Sequence, residues 1–459
     1  MLPDEVLLEI FDIYVNKNGR QYYKKEIEVW QTLVHVCRRW RSVVFGSPHR
    51  LNLRLFCTSA TPARDTLDLW PSLPLLIRDI DPTKDDEILA VLERSDLVVQ
   101  IELDGPKLEN VLAAMQVPFP ELTDLRLHSF EGMEADLPDS FLGGSAPRLE
   151  SLSLSRIPFP GLPKLLLSAT HLVTLHLWKI PHSGYISPEA IVAVLSTLTS
   201  LGKLSLEFKS PRSRPDWANR RLPPPTRSVL PFLIYLRFKG ACEYLEDLVT
   251  CIDTPRLNEL SITLFNQIIF DTPQSIQFIS RAPTLETFEK AHVVFQHDAA
   301  RVNLLSQTET SDYGRLSMRI RCIELDWQVS SMEQVCTSCL PTLSALVDLY
   351  IYEDRYWPPV WKDNIENTLL LELLRPFTGV KNLYLSEKFA SCIISSLQEL
   401  TGGRTTEVLP ALQNIFLEEL QLSGVQAGIE RFAAMRQVTS QPIAVSRWDN
   451  SKQDMEIWY

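Results

Sequence analysis

The sequence is poor in glycine and contains no long apolar run. Only 16 of its 459 residues are glycine, about half of the usual share of ~7%. Neither GxGxxG nor GxxxxGKS/T occurs, which argues against the enzyme classes that hold phosphates in glycine-rich loops. No apolar run approaches the ~18 residues that a membrane-spanning helix needs. A nucleotide-binding enzyme and a membrane protein are therefore both poorly supported.

Positive charge and cysteine are scarce as well. The chain has 45 Lys and Arg residues and 57 Asp and Glu residues, which gives a net charge of −12. Nucleic-acid binding, by contrast, relies on a basic surface. The eight cysteines are too few for a disulfide-rich scaffold. The acidic start MLPDEVLLEIF also lacks the basic region of a secretory signal. We expect reduced thiols and a cytoplasmic or nuclear protein that binds neither nucleic acid nor a membrane.

Leucine, by contrast, is abundant and periodic. The chain has 70 leucines, and the pattern apolar-x-x-apolar-x-apolar returns about every 29 residues on average between Leu122 and Leu412. Representative copies are LTDLRL, LESLSL, LVTLHL, LVDLYI and VKNLYL. Such spacing is that of leucine-rich repeats, in which a strand is followed by a returning helix. Helix starts are predicted between the strands at Ser187-Pro188, at Thr272-Pro273 and at the capping-box spacing Ser330 to Glu333.

This alternation predicts an α/β fold, an irregular solenoid with a curved, mostly parallel sheet and helices on its convex side. In each copy the fourth and sixth positions point inward, and the residue between them points outward. The predicted outward residues are Arg126, Ser153, His176, Ser205, Arg237, Ser261, Glu289, Glu324, Tyr350, Tyr384 and Phe416.

The first 46 residues do not follow the repeat. Val6, Ile10 and Tyr14 belong to one helical apolar stripe, and Trp30 and Trp40 belong to a second and a third. Three short helices cannot bury this much apolar surface among themselves. They either dock on the repeats or present a hydrophobic face to a partner.

This segment resembles the F-box. The motifs that carry the resemblance are LPDEVLLEIF from Leu2 and VWQTLVHVCRRWRSVV from Val29, which match the Leu-Pro start, the Ile-Phe of the first helix and the Val-Cys-Arg-Arg-Trp-Arg element of the third. An F-box before leucine-rich repeats is similar to the expanded F-box proteins of mushroom-forming fungi, although the insertion at 16–26 is longer than in compact F-boxes. The resulting prediction is an F-box at 1–46, a junction with the first irregular repeats at 47–96, and a solenoid with a C-terminal cap at 97–459.

The resemblance implies a function. In this family the F-box binds a Skp-type adaptor, which connects it to a cullin–RING ubiquitin ligase, and the remaining domain holds a protein substrate. The chain would then be a non-catalytic substrate receptor of an SCF-type ligase, without cofactor or metal. Its adaptor-binding residues would be Leu2, Pro3, Ile10, Leu33, Val36, Cys37 and Trp40. The alternative is an interaction scaffold whose N-terminal helices only cap the solenoid.

Two segments are candidates for substrate binding. One is a strip of outward aromatic residues with a nearby acidic residue, because aromatics are enriched at binding hot spots; β propensity alone would also place aromatics in strands. The members of this set are Tyr350, Tyr352, Tyr384, Phe416 and Glu324. The other is the basic, proline-rich loop 209–227, which is either a solvated loop or a site for an acidic or phosphorylated segment.

No catalytic centre is visible in the sequence. Cys336 and Cys339 form a single CxxC without the second pair of a four-ligand zinc site, so we expect two buried thiols in a helix. GxSxG is absent, and no nucleophile and base can be paired from their spacing.

Overall fold

Short strands and helices alternate along the chain, as the leucine pattern predicts. The computed structural model describes residues 2–19, 29–48, 50–58, 67–68, 70, 72–80, 85–105, 108–130, 136–159, 162–212, 227–265, 272–285, 287–306, 315–340, 343–361, 365–400, 407–418, 423–438 and 442–448. The chain divides into a first unit, residues 1–186 with 193–201, and a second unit, residues 187–192 with 202–459.

The helices and strands of the described segments have the following bounds. The helices are α1 (Asp4–Gly19), α2 (Val29–Val34), α3 (Arg38–Phe45), α4 (Asp85–Leu92), α5 (Glu109–Ala114), α6 (Leu162–Ser168), α7 (Pro188–Leu195), α8 (Cys242–Cys251), α9 (Pro273–Ser280), α10 (Leu325–Ser338), α11 (Asn367–Leu374), α12 (Glu387–Gln398) and α13 (Ser423–Val438). The strands of the first unit are β1 (Leu55–Cys57), β2 (Leu75–Ile80), β3 (Val98–Gly105), β4 (Asp124–Ser129), β5 (Ser151–Ser155) and β6 (Thr174–Ile180). The strands of the second unit are β7 (Lys203–Phe208), β8 (Ser228–Val229), β9 (Tyr235–Gly240), β10 (Ile252–Asp253), β11 (Glu259–Phe265), β12 (Lys290–Phe295), β13 (Ala299–Leu305), β14 (Leu316–Arg321), β15 (Asp348–Glu353), β16 (Asn382–Leu385), β17 (Asn414–Leu417) and β18 (Ala444–Arg447).

In the first unit, β1 to β6 pair in sequence order and in parallel. The predicted outward residues Arg126, Ser153 and His176 are direct neighbours across β4, β5 and β6. The leucines on either side of each, such as Leu152 and Leu154, are fully buried. The predicted register is therefore confirmed here, and the outward residues form a face of the sheet that is called the open face below.

In the second unit, the strands follow the order β7, β9, β11, β14, β13, β12, β15, β16, β17 and β18, with β8 and β10 in a separate small pair. The strands are parallel except β13, which runs antiparallel to both β12 and β14. The inward residues of the last repeats, such as Leu349, Leu383 and Ile415, are fully buried. A mixed α/β fold with a predominantly parallel sheet is thus present, with one local exception.

The antiparallel segment overturns part of the predicted register. Glu324, predicted on a strand beginning at Ile320, lies instead at the N-cap of α10, because β14 ends at Arg321. Glu289 lies just before β12 rather than within it. The predicted helix start at Ser330 is also wrong, since α10 begins at Leu325.

A hairpin whose strands lack the leucine pattern accounts for these differences from the predicted register. The sequences KAHVVF of β12 and AARVNLL of β13 are joined by Gln296, His297 and Asp298, and the Gln296 amide donates to the carbonyl of Ala299 at 2.8 Å. Loops of this length join antiparallel neighbours. The hairpin inserts two strands between repeats, and β14 rather than β12 pairs with β11.

The two predicted Ser-Pro and Thr-Pro helix starts are confirmed, but their caps differ. Ser187 accepts a hydrogen bond from the amide of Ala190 at 3.3 Å, as an N-cap should. Thr272 makes no such bond, and its hydroxyl contacts the thiol of Cys339. The α9 amides are instead satisfied by the buried carboxylate of Glu246, which accepts from Gln274 N at 2.8 Å and from Ser275 N at 2.9 Å.

Glu246 should consequently stabilise the second unit. In Glu246→Gln an amide N–H₂ replaces one of the two acceptor oxygens, so a buried backbone donor loses its partner. We expect the free energy of unfolding, measured by urea titration, to fall by about 2 kcal/mol. The exposed Glu259→Gln on β11 is the matched control and should change it by less than about 0.5 kcal/mol; equal effects of the two variants would contradict this role.

Candidate protein-interaction surfaces

The N-terminal helices are docked on the beginning of the repeats within the first unit. Trp30, which is 1% exposed, donates from Nε1 to the carbonyl oxygen of Arg54 at 2.9 Å. Its ring lies 5.3 Å from Trp70 and 6.1 Å from Phe45 in edge-to-face geometry. Such aromatic pairs add to the free energy of burial. This contact fixes the helices to the segment that leads into β2.

The three helices are also held to one another. The ring of Phe11 on α1, which is completely buried, lies 4.8 Å from the ring of Trp40 on α3. Arg39 binds the carboxylate of Asp4 at 2.6 Å and the carbonyl of Leu2. These contacts place the beginning of α3 beside the beginning of α1.

One side of this helical group remains apolar and exposed. Its residues on and before α1 follow helical spacing, and the last member precedes α3. This N-terminal apolar face consists of Leu2, Val6, Ile10, Ile13, Tyr14 and Val36, whose exposed fractions lie between 41% and 59%. A cluster of large apolar side chains in water is typical of an interaction site.

The predicted adaptor-binding residues separate into two groups. Leu2, Pro3, Ile10, Val36 and Cys37 are exposed. Leu33, at 6% exposure, is buried, and Trp40 is half-buried against Phe11. Leu33 and the side of Trp40 that contacts Phe11 thus belong to the interior of the helical group and not to its exposed surface.

The open face of the first unit is charged, and its charges are paired. Arg78 contacts Glu102 at 3.0 Å, and Arg126 contacts Asp124 at 3.2 Å. Exposed pairs of this kind contribute about 0–1 kcal/mol. They make this face polar without leaving a concentrated charge of one sign.

The open face of the second unit carries the predicted aromatic strip. Tyr350, Tyr384 and Phe416 are direct neighbours on β15, β16 and β17. Their rings are stacked, with centroids 4.1 Å apart between Tyr350 and Tyr384 and 4.4 Å apart between Tyr384 and Phe416. The His292 ring on β12 lies beside this stack, tilted by 31° with its centroid 4.4 Å from that of Tyr350. The predicted adjacency of Tyr350, Tyr384 and Phe416 is therefore confirmed, and their role in substrate binding stays a prediction.

The C-terminal strand covers part of the strip. β18 pairs in parallel with β17, and Trp448 follows it, with its amide donating to the carbonyl oxygen of Leu417. The Trp448 ring is edge-on to Tyr350 at 5.6 Å and to Tyr384 at 5.7 Å. Tyr350 is consequently only 7% exposed, whereas Tyr352, Tyr384 and Phe416 stay half-buried.

Burial changes the proton affinities within the strip. It raises the pKa of the Tyr350 and Tyr384 hydroxyls, and nearby Asp348 adds to this effect. It lowers the pKa of His292 to about 4, with Lys290 and Arg301 acting in the same direction. The His292 Nδ1 lies 3.1 Å from the Tyr352 hydroxyl. The strip is therefore an uncharged aromatic surface at neutral pH.

A polar ladder next to the strip was not anticipated from the sequence. Asn382 donates to Asp348, and Asn414 donates to Asn382, each at 2.7 Å. These three residues occupy the same position in the copies VDLYI, KNLYL and QNIFL. Their repetition was the available signal, and the ladder fixes the register of β15, β16 and β17.

The remaining predictions concern cysteines, metals and the basic loop. Cys336 and Cys339 are buried cysteines outside any disulfide; Cys336 lies in α10 as expected, whereas Cys339 is its C-cap residue. Burial raises the pKa of Cys336. Within the described segments, no three His, Cys, Asp or Glu side chains are placed to hold a metal ion. No helix in those segments combines the length and the hydropathy needed to cross a bilayer. Residues 213–226 of the basic loop lie outside the described residues.

Comparison with known proteins gives little beyond this geometry. No protein-family model matches the chain, and no curated protein matches it. Among solved structures, the leucine-rich repeat-containing protein LegL7 from Legionella pneumophila is similar, with 10% identity, a TM-score of 0.26, and coverage of 83% of this chain and 98% of that chain. The repeat architecture therefore rests on this chain's own leucine period and strand pairing.

Proposed function

We propose that the chain is the substrate receptor of an SCF-type ubiquitin ligase, with an F-box at its N-terminus and a protein-binding repeat region. The observation that carries this proposal is the N-terminal apolar face. It lies in the segment that resembles the F-box, and it stays exposed although the same helices are already docked through Trp30. A segment that served only as a cap would have no need for such a face.

The apolar face is suited to a Skp-type adaptor, which would in turn connect the chain to a cullin. Leu2, Ile10 and Val36 present aliphatic side chains that a hydrophobic groove can bury. A few such anchors usually provide most of the affinity of an interface. Leu33 and Trp40 contribute indirectly, because they hold α2 and α3 under these anchors.

The repeat region would bind the protein substrate through the open face of the second unit. Tyr352, Tyr384 and Phe416 offer rigid, half-buried aromatic surface, which loses little side-chain entropy on binding. The chain itself then needs no catalytic centre, because other ligase subunits transfer ubiquitin. The free thiols agree with a reducing compartment, the cytoplasm or the nucleus.

The proposal is tested by adaptor binding of the full chain. The double variant Ile10→Asp with Val36→Asp places two charges on exposed positions, so the fold should persist while the interface is lost. We expect binding of a purified Skp-type adaptor, measured by biolayer interferometry, to weaken at least roughly thirtyfold.

Val117→Asp is the matched control, since Val117 is an exposed valine elsewhere in the first unit, at 46% against 45% for Ile10 and 59% for Val36. It should bind the adaptor as the unchanged chain does. Equal binding by the double variant and the control would refute the F-box assignment.

The scaffold alternative has its own supporting observation. Trp30, Trp70 and Phe45 bury apolar surface at the first repeat, as a cap does. The same measurement decides between the two, because a scaffold whose helices only cap the repeats has no affinity for the adaptor.

A further inference from the structure

Three arginines meet on the open face of the second unit, at the inserted hairpin. Arg301 on β13 and Arg319 on β14 are directly opposite each other in the antiparallel pair, and Arg321 lies two residues further along β14. Directly opposite residues have Cβ atoms about 4.5–5.5 Å apart, and like charges at such positions repel. The pair therefore destabilises the free chain unless an anion lies between the two guanidinium groups.

The carboxylates nearby do not balance these charges. Asp298, in the hairpin turn, binds Arg321 at 2.7 Å and Arg319 at 3.3 Å. Asp354 accepts bonds from Gln296 and from the amides of Tyr356 and Trp357. Among the residues that the structure describes, Arg301 has no carboxylate within ion-pair distance. Asp298 pairs with two of the arginines, and Asp354 acts on Arg319 only as a nearby charge. Three positive charges thus face two carboxylates, and Arg301 is left without an ion-pair partner in the described part of the chain.

Two hydrogen-bond donors of this arginine cluster lack an acceptor. The Nε atoms of Arg301 and Arg319 are both shielded from solvent and have no acceptor among the described residues. A buried donor without a partner costs about 1–3 kcal/mol. The side chains of Arg319 and Arg321 nevertheless remain 35% and 40% exposed, so a ligand can reach them.

The geometry points to a binding site for a phosphorylated side chain of a partner protein, formed by Arg301, Arg319 and Arg321. A guanidinium presents a planar fork that matches two oxygens of a phosphate. A phosphate monoester carries about −1.5 to −2 charges and three terminal oxygens, so it can accept from two forks at once. A carboxylate offers only two oxygens and one charge, and it resembles the Asp298 contact that is already present.

The aromatic strip lies within reach of this site. Val294 on β12 is the register neighbour of both Arg301 and Tyr352, so one residue separates the arginines from Tyr352. A peptide lying across the strands would thus place a phosphate on the arginines and apolar side chains on Tyr352 and Tyr384. A phosphate site here deepens the proposed function, because it rests on the second unit's role in substrate binding.

The test uses three peptides that share one neutral hexapeptide sequence and contain phosphoserine, aspartate or serine at its centre. We expect the full chain to bind the phosphoserine peptide by isothermal titration calorimetry, and Arg301→Met to weaken that binding by roughly tenfold or more. Arg301→Lys keeps the charge but loses the planar guanidinium fork, so its affinity for the phosphoserine peptide should lie between those of the unchanged chain and Arg301→Met. No adaptor is present, so this result is independent of the adaptor experiment.

Arg375→Met is the matched control, because Arg375 is an exposed arginine of the same unit, paired with Glu372 at 3.0 Å. It should leave phosphoserine binding unchanged. Without peptide, Arg301→Met should unfold at the same temperature as the unchanged chain or higher, since it removes an unpaired charge. Equal affinity for the serine and phosphoserine peptides, unaltered binding by Arg301→Met, or a lower unfolding temperature of that variant would each overturn the inference.

Discussion

Replacing Gly379 by alanine should lower the free energy of unfolding of the second unit by about 3 kcal/mol or more. Gly379 lies in the turn before β16, where the chain passes the short 3₁₀ turn Leu343–Ala345 of the preceding repeat. A methyl group there would place its carbon 1.9 Å from the carbonyl oxygen of Ser344 and 3.1 Å from that of Leu346. Both are backbone atoms, so no rotamer change relieves the clash and adjacent repeats must separate.

Urea unfolding followed by tryptophan fluorescence measures this effect. Thr378→Ala alters the preceding residue of the same turn, which is exposed, and should change the free energy by less than about 0.5 kcal/mol. If Gly379→Ala were as stable as Thr378→Ala, the close packing of these two turns would be wrong.

Acid should destabilise the second unit through His292. Its pKa is about 4 in the folded chain because burial disfavours the charged imidazole, whereas the ordinary value is 6.5. Between these two values the unfolded state binds more protons, so stability falls as the pH drops from 6.5 towards 4 and levels off below it. At 1.36 kcal/mol for each pKa unit, the full loss is about 3 kcal/mol, of which about 2 kcal/mol is reached at pH 5.

The groups around His292 all agree with this direction. Lys290 and Arg301 repel a positive charge, and the Tyr350 ring and the Tyr352 hydroxyl supply no negative one. The measurement is the free energy of unfolding at pH 7 and at pH 5 for the unchanged chain and for His292→Phe. The variant should lose about 2 kcal/mol less between the two pH values; identical losses would show that His292 does not titrate in this window.

The parts of the fold that the leucine period predicts are those where each strand buries its fourth and sixth residues. Strands such as β5, β6 and β16 fall where LESLSL, LVTLHL and VKNLYL place them. Because the register follows from the same positions, the stacking of Tyr350, Tyr384 and Phe416 was predictable too.

The hairpin of β12 and β13 was not predicted, because neither of its strands repeats the leucine pattern. Two period-2 apolar runs around a short polar turn are nonetheless an antiparallel signal, and KAHVVF and AARVNLL around Gln296–Asp298 provide one. An antiparallel hairpin at this place predicts that Arg301 lies opposite Arg319 and that Glu324 follows the strands instead of lying within one.

Other features of the site depend on contacts between segments that are distant in sequence. The burial of Tyr350 requires Trp448, which β18 positions against β17. The interior position of Leu33 depends on how α2 packs with its neighbouring helices. Periodicity within one segment carries no information about such contacts. Some of the predicted adaptor-binding and substrate-binding residues are therefore buried.

The reversed strand β13 has a consequence for the order in which the chain is made. A repeat protein can grow on the ribosome by adding each new strand to the one just completed. Here β11 ends at Phe265, and its neighbour β14 does not begin until Leu316. During the interval the edge of β11 stays unpaired while the hairpin emerges, and unpaired edges invite aggregation. Translation speed across β12 and β13 should therefore influence how much of this protein reaches its native state.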